Sequence, residues 1–387
     1  MNRQSKKLEL IFFLVSLAVC LVISEFAIRF YKRDIAYQPD PKTIRSLLPN
    51  IKRRIESYDT EANLNQLSRD IPNPPVFLGY DYTNGQGLRM SEDIQPKKTN
   101  EKRILLLGDS FTEADGVLEK DRFFKIAQAV LQEKHSSIKI INGGIQNGSP
   151  VQYAIQLLEW LPKFQPDAVI IATGANDHTD DYEFERLYGV TRDGSDFPIE
   201  IKNRLYLWLL QKSYSLRYFD VFVNRFFPKL WNLLHMPTEP NNSSEKWMEL
   251  YCNCNPTIKK SFENYTGKHL TAIKSFIESK GLKFGVLVIN YNFIFPEPYY
   301  EKRFPGLEAE LEKAGCKRNL KSPYNEFIDN FLNKNKITFK NTITSLKQAH
   351  LKNPKQNLWG FWDYHFSIYG NPVVAKDLLE LIEMLDL

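Results

Sequence analysis

Residues 102–116, KRILLLGDSFTEADG, place four consecutive large apolar residues, Ile104, Leu105, Leu106 and Leu107, directly before Gly108, Asp109 and Ser110. A strand with no polar face has to be buried on both sides, which requires a parallel sheet covered by helices on both faces. Gly108 permits a sharp turn, and Ser110 then arrives just past the carboxyl end of the strand, where open parallel sheets hold their ligands. That is a position for a nucleophile. Taken alone, Gly-Asp-Ser also reads as an ordinary strand-ending turn.

The residues that follow extend the pattern. Residues 121–134 carry apolar side chains at 123, 126, 127, 130 and 131, a helical stripe. Residues 138–141 form a second short strand that ends in Asn142-Gly143-Gly144. Ser149 and Pro150 suit the cap and first position of a second helix. A third apolar strand over 168–172 ends in Gly174-Ala175-Asn176-Asp177. Crossovers of this kind give parallel strands with right-handed connections, so Ser110, the 142–148 loop and Asn176 gather on one rim.

From 182 to about 236 the regularity fails and aromatic and basic residues accumulate, which predicts a helical insertion that either packs on the core or forms a lid or lipid-facing surface. Residues 239–256 read as loop. A helix over 268–280 and a buried strand over 283–289 restore the α/β alternation, and 291–305 is a Pro-rich aromatic loop near the same rim. Near the end, WGFWDYHFSIYGNP holds Asp363 and His365, and Asn371 and Pro372 cap a final amphipathic helix. A serine hydroxyl needs a base to take its proton and an acid to orient that base, and this pair offers both.

Ahead of this domain, residues 10–28, LIFFLVSLAVCLVISEFAI, are interrupted only by Ser16, Ser24 and Glu25. As a helix they would span about 28 Å, near the thickness of the bilayer's hydrocarbon core. They predict a single-pass membrane anchor over 1–34. A cleaved signal peptide competes, with Ala18 and Cys20 as small residues two apart, although Leu21, Val22 and Ile23 continue the apolar run. Residues 35–100, rich in Pro, Asn, Arg and Lys, read as a stalk and an irregular extension, in which Val76, Phe77 and Leu78 could add an edge strand. The formal charge of +5 is largely set by the first 34 residues, so no concentrated basic face for nucleic acid is indicated. The four cysteines, Cys20, Cys252, Cys254 and Cys316, form no paired C-x-x-C motif. Cys316 could bridge to Cys252 or Cys254 outside the cytosol, or all three could stay free thiols.

In combination, GDS after the first strand, an Asn-Gly loop after the second, GAND after the third and D-x-H before the last helix resemble the SGNH hydrolases, also called the GDSL family, over roughly 101–180 and 266–387. The resemblance implies a three-layer α/β/α fold with a mostly parallel sheet, flavodoxin-like, over 101–387, with the aromatic insertion at about 182–265. It implies Ser110 as nucleophile, His365 as general base and Asp363 as its orienting acid. The oxyanion would be held by the backbone N–H of Ser110, the side-chain amide of Asn176 and a second-block N–H. The family's glycine there is matched by Asn147, with Gly148 one further on. The D-x-H spacing resembles membrane-associated bacterial members that look like exopolysaccharide O-acetyltransferases. The implied chemistry is acyl transfer through an acyl-serine on an ester of an envelope carbohydrate or lipid, by an extracytoplasmic enzyme that needs no metal or organic cofactor. Three alternatives stay open: an O-acyltransferase with a sugar hydroxyl as acceptor, an inactive binding module, and a metal-dependent hydrolase built on Asp177, His178, Asp180, Asp181, Asp363 and His365.

Overall fold

The computed structural model describes residues 3–31, 37–57, 76–114, 116–134, 137–192, 197–227, 245–295, 307–317, 319–360 and 365–387. Asp363 lies outside them.

The chain begins with helix α1 (Arg3–Tyr31) and two antiparallel ribbons, β1 (Tyr37–Asp40) with β2 (Ile44–Leu47) and β3 (Lys52–Ser57) with β4 (Val76–Tyr82). The sequence-predicted edge strand at Val76, Phe77 and Leu78 is thus part of β4 and pairs with β3. The central unit runs β5 (Lys102–Gly108), α2 (Ser110–Glu113), α3 (Phe123–Lys134), β6 (Ile138–Gly144), α4 (Pro150–Phe164), β7 (Ala168–Thr173) and α5 (Asp177–Tyr188). The insertion contains a small ribbon, β8 (Val190–Arg192) with β9 (Pro198–Ile201), followed by α6 (Arg204–Lys212) and α7 (Tyr214–Phe226). Helix α8 (Glu245–Cys252) occupies a stretch the sequence reads as loop; α9 (Pro256–Phe262) and α10 (Lys268–Ser279) then lead to β10 (Lys283–Val288). The chain ends with α11 (Leu307–Lys313), α12 (Pro323–Lys334), β11 (Thr338–Asn341), α13 (Ile343–Lys352) and α14 (Gly370–Met384).

The main sheet has five strands in the order β11-β10-β7-β5-β6, and every pairing is parallel. Right-handed crossovers put α3 on one face, since β5 to β6 moves one way across the sheet, and α4, α10 and α12 on the other, since the later steps move back. Helix α14 returns to pack on α3 and on β10 and β11, which completes three layers. Ile104, Leu105, Leu106 and Leu107 are fully buried, as a two-sided strand requires. Leu88, Met90 and Ile94 of the N-terminal extension are packed into the same core as the strands.

One local finding differs from expectation, and another resolves a pairing that the sequence leaves open. Asn371 sits inside α14, and its side-chain oxygen caps α3 by accepting the Phe123 N–H at 2.9 Å. Its amide nitrogen meanwhile donates to the carbonyls of Phe366 and Ser367, each at 2.9 Å, which fastens the loop carrying His365. Cys252 and Cys316 are joined by a disulfide that ties the end of α8 to the segment after α11, and Cys254 is a buried free thiol.

Glu25 has a definite task in α1. Its carboxylate accepts the N–H groups of Tyr214 and Ser215 at 3.0 and 2.9 Å and the Ser213 hydroxyl at 2.9 Å, capping the start of α7. Arg29 braces the same turn, bonding Glu25 and the Lys212 carbonyl, each at 2.6 Å. Among the described residues no helix is long and apolar enough to cross a membrane. The side chains of Leu10, Ile11, Leu14, Leu17, Ala18 and Leu21, within the run read as an anchor, lie outside them.

Candidate active site

The strand order reverses at β5, whose neighbours β6 and β7 are reached in opposite directions. The crevice beyond the carboxyl ends of β5 and β7 is therefore the topological switch point, where open α/β sheets take their ligands. Ser110 leaves β5 there, and Asn176 leaves β7. Gly108 is required for a reason other than a left-handed turn: a Cβ at this position would strike the Thr112 side chain, where α2 folds back over the strand end.

Asp109 links the two strand ends. One carboxylate oxygen accepts the Phe111 N–H at 2.9 Å and caps α2; the other accepts the Asn176 amide at 2.9 Å. Burial pushes the Asp109 carboxyl above its ordinary range, opposed by those two hydrogen bonds and by the charge of His365. His365 is seated on Phe111, the residue after Ser110, with its ring edge-on at 5.0 Å between centroids, and the neighbouring Phe366 ring contacts Phe111 at 5.1 Å. The His365 carbonyl accepts the Gly360 N–H at 2.8 Å, so the loop is tied on both sides of the undescribed 361–364 segment.

Asn176 is held from three directions. Its amide nitrogen also donates to Asp180 at 3.3 Å, and its side-chain oxygen accepts the Tyr291 hydroxyl. Because Tyr291 donates to the oxygen, the amide is fixed with its NH2 toward Asp109 and Asp180. Gly174 leaves room for this arrangement, since a Cβ there would collide with the Tyr291 hydroxyl and the Asn176 oxygen. Tyr291 follows β10 in the aromatic loop, 115 residues from its partner, and no motif spacing marks it.

The second-block loop separates the two donor candidates. The Gly148 N–H donates to the Ile145 carbonyl at 2.9 Å and closes a turn, which leaves the N–H of Asn147 as the second-block candidate. Asn147 is exposed and has φ 54°, the left-handed region that glycine favours and asparagine tolerates. That conformation accounts for Asn standing where the resembled family has glycine.

Glu113, the last residue of GDSFTE, is fully buried and grips the same loop. Its carboxylate accepts the Gln146 N–H at 2.7 Å, the Tyr37 hydroxyl and an Arg89 N–H. Arg89 also pairs with Asp81, which holds Arg122 at 2.6 Å through its second oxygen. The N-terminal extension thus supplies Tyr37, Arg89 and Asp81 to the footing of α2.

The acidic residues after Asn176 divide by role. Asp181 caps α4, accepting the Val151 N–H at 2.8 Å and the Thr266 hydroxyl at 2.5 Å. Asp177 accepts the Thr173 hydroxyl at 2.6 Å and is fully buried; burial first, then the Asp109 charge, pushes its carboxyl well above the ordinary range. Among the described residues no group of three or more His, Cys, Asp or Glu stands in an arrangement that could hold a metal ion. A raised folded-state value means the native protein binds the Asp177 proton more tightly than the unfolded chain, so stability falls as pH rises from about 4 toward that value. Asp177→Asn should remove this penalty. The variant is expected to melt near wild type at pH 4 and about 2–4 °C higher at pH 8 in thermal scans; a gap of the same size at both pH values would refute the assignment.

No protein-family model matches this chain, and no curated protein does. Among solved structures it is similar to one described as TesA, at 12% identity over 73% of this chain and 99% of that one, with a TM-score of 0.37. It is also similar to Axe2, an acetylxylan esterase from Geobacillus stearothermophilus, at 14% identity over 74% and 96% of the two chains, TM-score 0.36. A third is the psychrotrophic esterase EstA from Pseudoalteromonas sp., at 15% identity over 73% and 98%, TM-score 0.34. Likenesses this loose decide neither fold nor activity, which stand on the sheet and on the site.

Proposed function

We propose that the protein is a serine esterase that works through an acyl-Ser110 intermediate. The observation that carries this reading is the Asp109 carboxylate, bonded at once to the Phe111 N–H and the Asn176 amide, with His365 seated on Phe111. It supports a nucleophile, a base and an oxyanion donor assembled at one switch point. In this reading Ser110 Oγ attacks the acyl carbonyl as His365 takes its proton, and Asp363 orients the imidazole. The carbonyl oxygen gains negative charge and is received by the N–H groups of Ser110 and Asn147 and by the Asn176 amide, replacing the longer contact to Asp180. The ester C–O bond then breaks, and the imidazolium gives its proton to the departing alkoxide. Water repeats the sequence on the acyl-serine and releases the acid. A sugar hydroxyl in place of water would make the same site an O-acyltransferase.

The acyl ester is read as one of an envelope carbohydrate or lipid. The Cys252–Cys316 disulfide favours an extracytoplasmic enzyme domain, since disulfides persist in oxidising compartments. The apolar run at 10–28 favours a single-pass anchor, and Glu25 and Arg29 brace its end against α7. Exposed Phe219, Phe222 and Phe226 on α7 would then lie beside the lipid.

Asn176→Ala removes a side-chain donor without moving backbone. With p-nitrophenyl acetate it should lower kcat by about a hundredfold to a thousandfold. A drop below threefold would remove Asn176 from the oxyanion site.

A further inference from the structure

The second oxyanion donor is a backbone N–H, so its direction depends on whatever holds the peptide that carries it. In a trans peptide the carbonyl and the following N–H lie in one plane and point in opposite directions. The carbonyl partner of the Asn147 N–H is that of Gln146, and it accepts Arg45 Nη1 at 2.9 Å across 101 residues of sequence. The preceding peptide is fixed as well, by the Gln146 N–H on buried Glu113 at 2.7 Å, and the following one by the Gly148 N–H on Ile145 at 2.9 Å. Of these three peptides, the Gln146–Asn147 unit is the one held by a charged side chain of the N-terminal extension.

Arg45 is itself held in place. It is the second residue of β2, and Gln152 of α4 donates to the carbonyls of Thr43 and Arg45, each at 3.1 Å. Ile44, immediately before it, is buried and has φ 69°. A β-branched residue rarely adopts the left-handed region, and backbone strain of this sort persists where the surroundings over-determine a functional geometry. Burial, then the charges of Asp109, Glu183 and Asp181, push the Asp180 carboxyl well above its ordinary range, and the positive charge of Arg45 opposes them weakly.

We propose that Arg45 is a positioning residue for the oxyanion site, fixing the plane of the Gln146–Asn147 peptide so that the Asn147 N–H faces the carbonyl oxygen of the acyl group. The guanidinium also polarises that peptide, which strengthens its N–H as a donor. The inference rests on the acyl-Ser110 reading and gives the N-terminal extension a part in the chemistry.

The test uses the full-length protein and the rate at which a fluorophosphonate probe phosphonylates Ser110, because that reaction develops charge on an oxygen in the oxyanion site and needs no knowledge of the natural substrate. Arg45→Met keeps the apolar stem and removes the donor. Its maximal labelling rate should fall about ten- to hundredfold, a part of the cost of losing a whole oxyanion donor, with half-saturating probe concentration changed less than twofold. Guanidinium chloride at low millimolar concentration should restore at least fivefold of that rate, and Arg45→Lys should lie between the variant and wild type. Labelling of Arg45→Met at the wild-type rate, or a loss that neither guanidinium nor Lys repairs, would overturn the inference. If wild type itself is not labelled at Ser110, the acyl-serine reading fails instead.

Discussion

Ser110→Ala is expected to lower ester turnover by about ten-thousandfold or more, and His365→Ala by a comparable factor. In the proposed mechanism the two groups act on one proton. The hydroxyl of Ser110 is a poor nucleophile until a base accepts its hydrogen, and a base has no other task in the first step. Their placement fits this dependence, since Ser110 and Phe111 are consecutive in α2 and the His365 ring rests on Phe111. The double variant should therefore be scarcely slower than either single one. Steady-state rates on p-nitrophenyl acetate decide the matter. Losses that multiply would mean that serine and histidine act independently, and His178, buried beside Asn176, would become the base to test.

Arg89→Met should destabilise the fold by about 3–5 kcal/mol, because it leaves the buried Glu113 carboxylate without its cation and Asp81 with Arg122 alone. Arg89, Asp81 and Glu113 have side-chain exposures of 3%, 2% and 0%, so water cannot take over the role of the guanidinium. Melting should fall by roughly 10 °C. The effect has a pH signature. Although burial pushes the Asp81 carboxyl up, Arg122 and Arg89 together hold it below its ordinary value. Stability from that depression is present above about pH 4 and is lost as pH falls through the depressed value. Removing Arg89 takes away part of it, so the gap between variant and wild type should be wide at pH 7 and narrow in acid. A gap that did not change with pH would mean that lost packing, and not lost charge, dominates. The variant that stays folded at low temperature should also be slow, because Glu113 then loses the partner that aims it at Gln146.

The strands that build the sheet were legible because burial on both faces forces unbroken apolar runs: β5, β6, β7 and β10 appear in the sequence within three residues of their ends. The edge strand β11 was not, since Thr338, Phe339 and Lys340 are only partly buried and carry no two-sided pattern. Helix α8 was hidden for a related reason, being eight residues long and flanked by Asn-rich sequence. In the candidate site, Ser110, Asn176 and His365 could be proposed because each follows a strand or precedes a helix at a recognisable motif. Tyr291, Glu113, Arg89 and Arg45 could not. Their partners lie 115, 33, 24 and 101 residues away, distances at which spacing carries no information about contact. Gly174 gives the one trace of such a contact, a glycine whose missing Cβ makes room for Tyr291. The N-terminal extension, polar and rich in turns, gave no sign of the carboxylates and guanidinium groups it contributes beneath α2.

Acyl-enzyme chemistry at Ser110 is tested most directly by covalent trapping. Full-length protein incubated with a fluorophosphonate probe, digested and read by mass spectrometry should carry the adduct on the peptide containing residues 104–113, at Ser110, and Ser110→Ala should carry none. A folded, disulfide-intact sample that stays unmodified, or that is modified equally in Ser110→Ala, would contradict a serine nucleophile at this switch point.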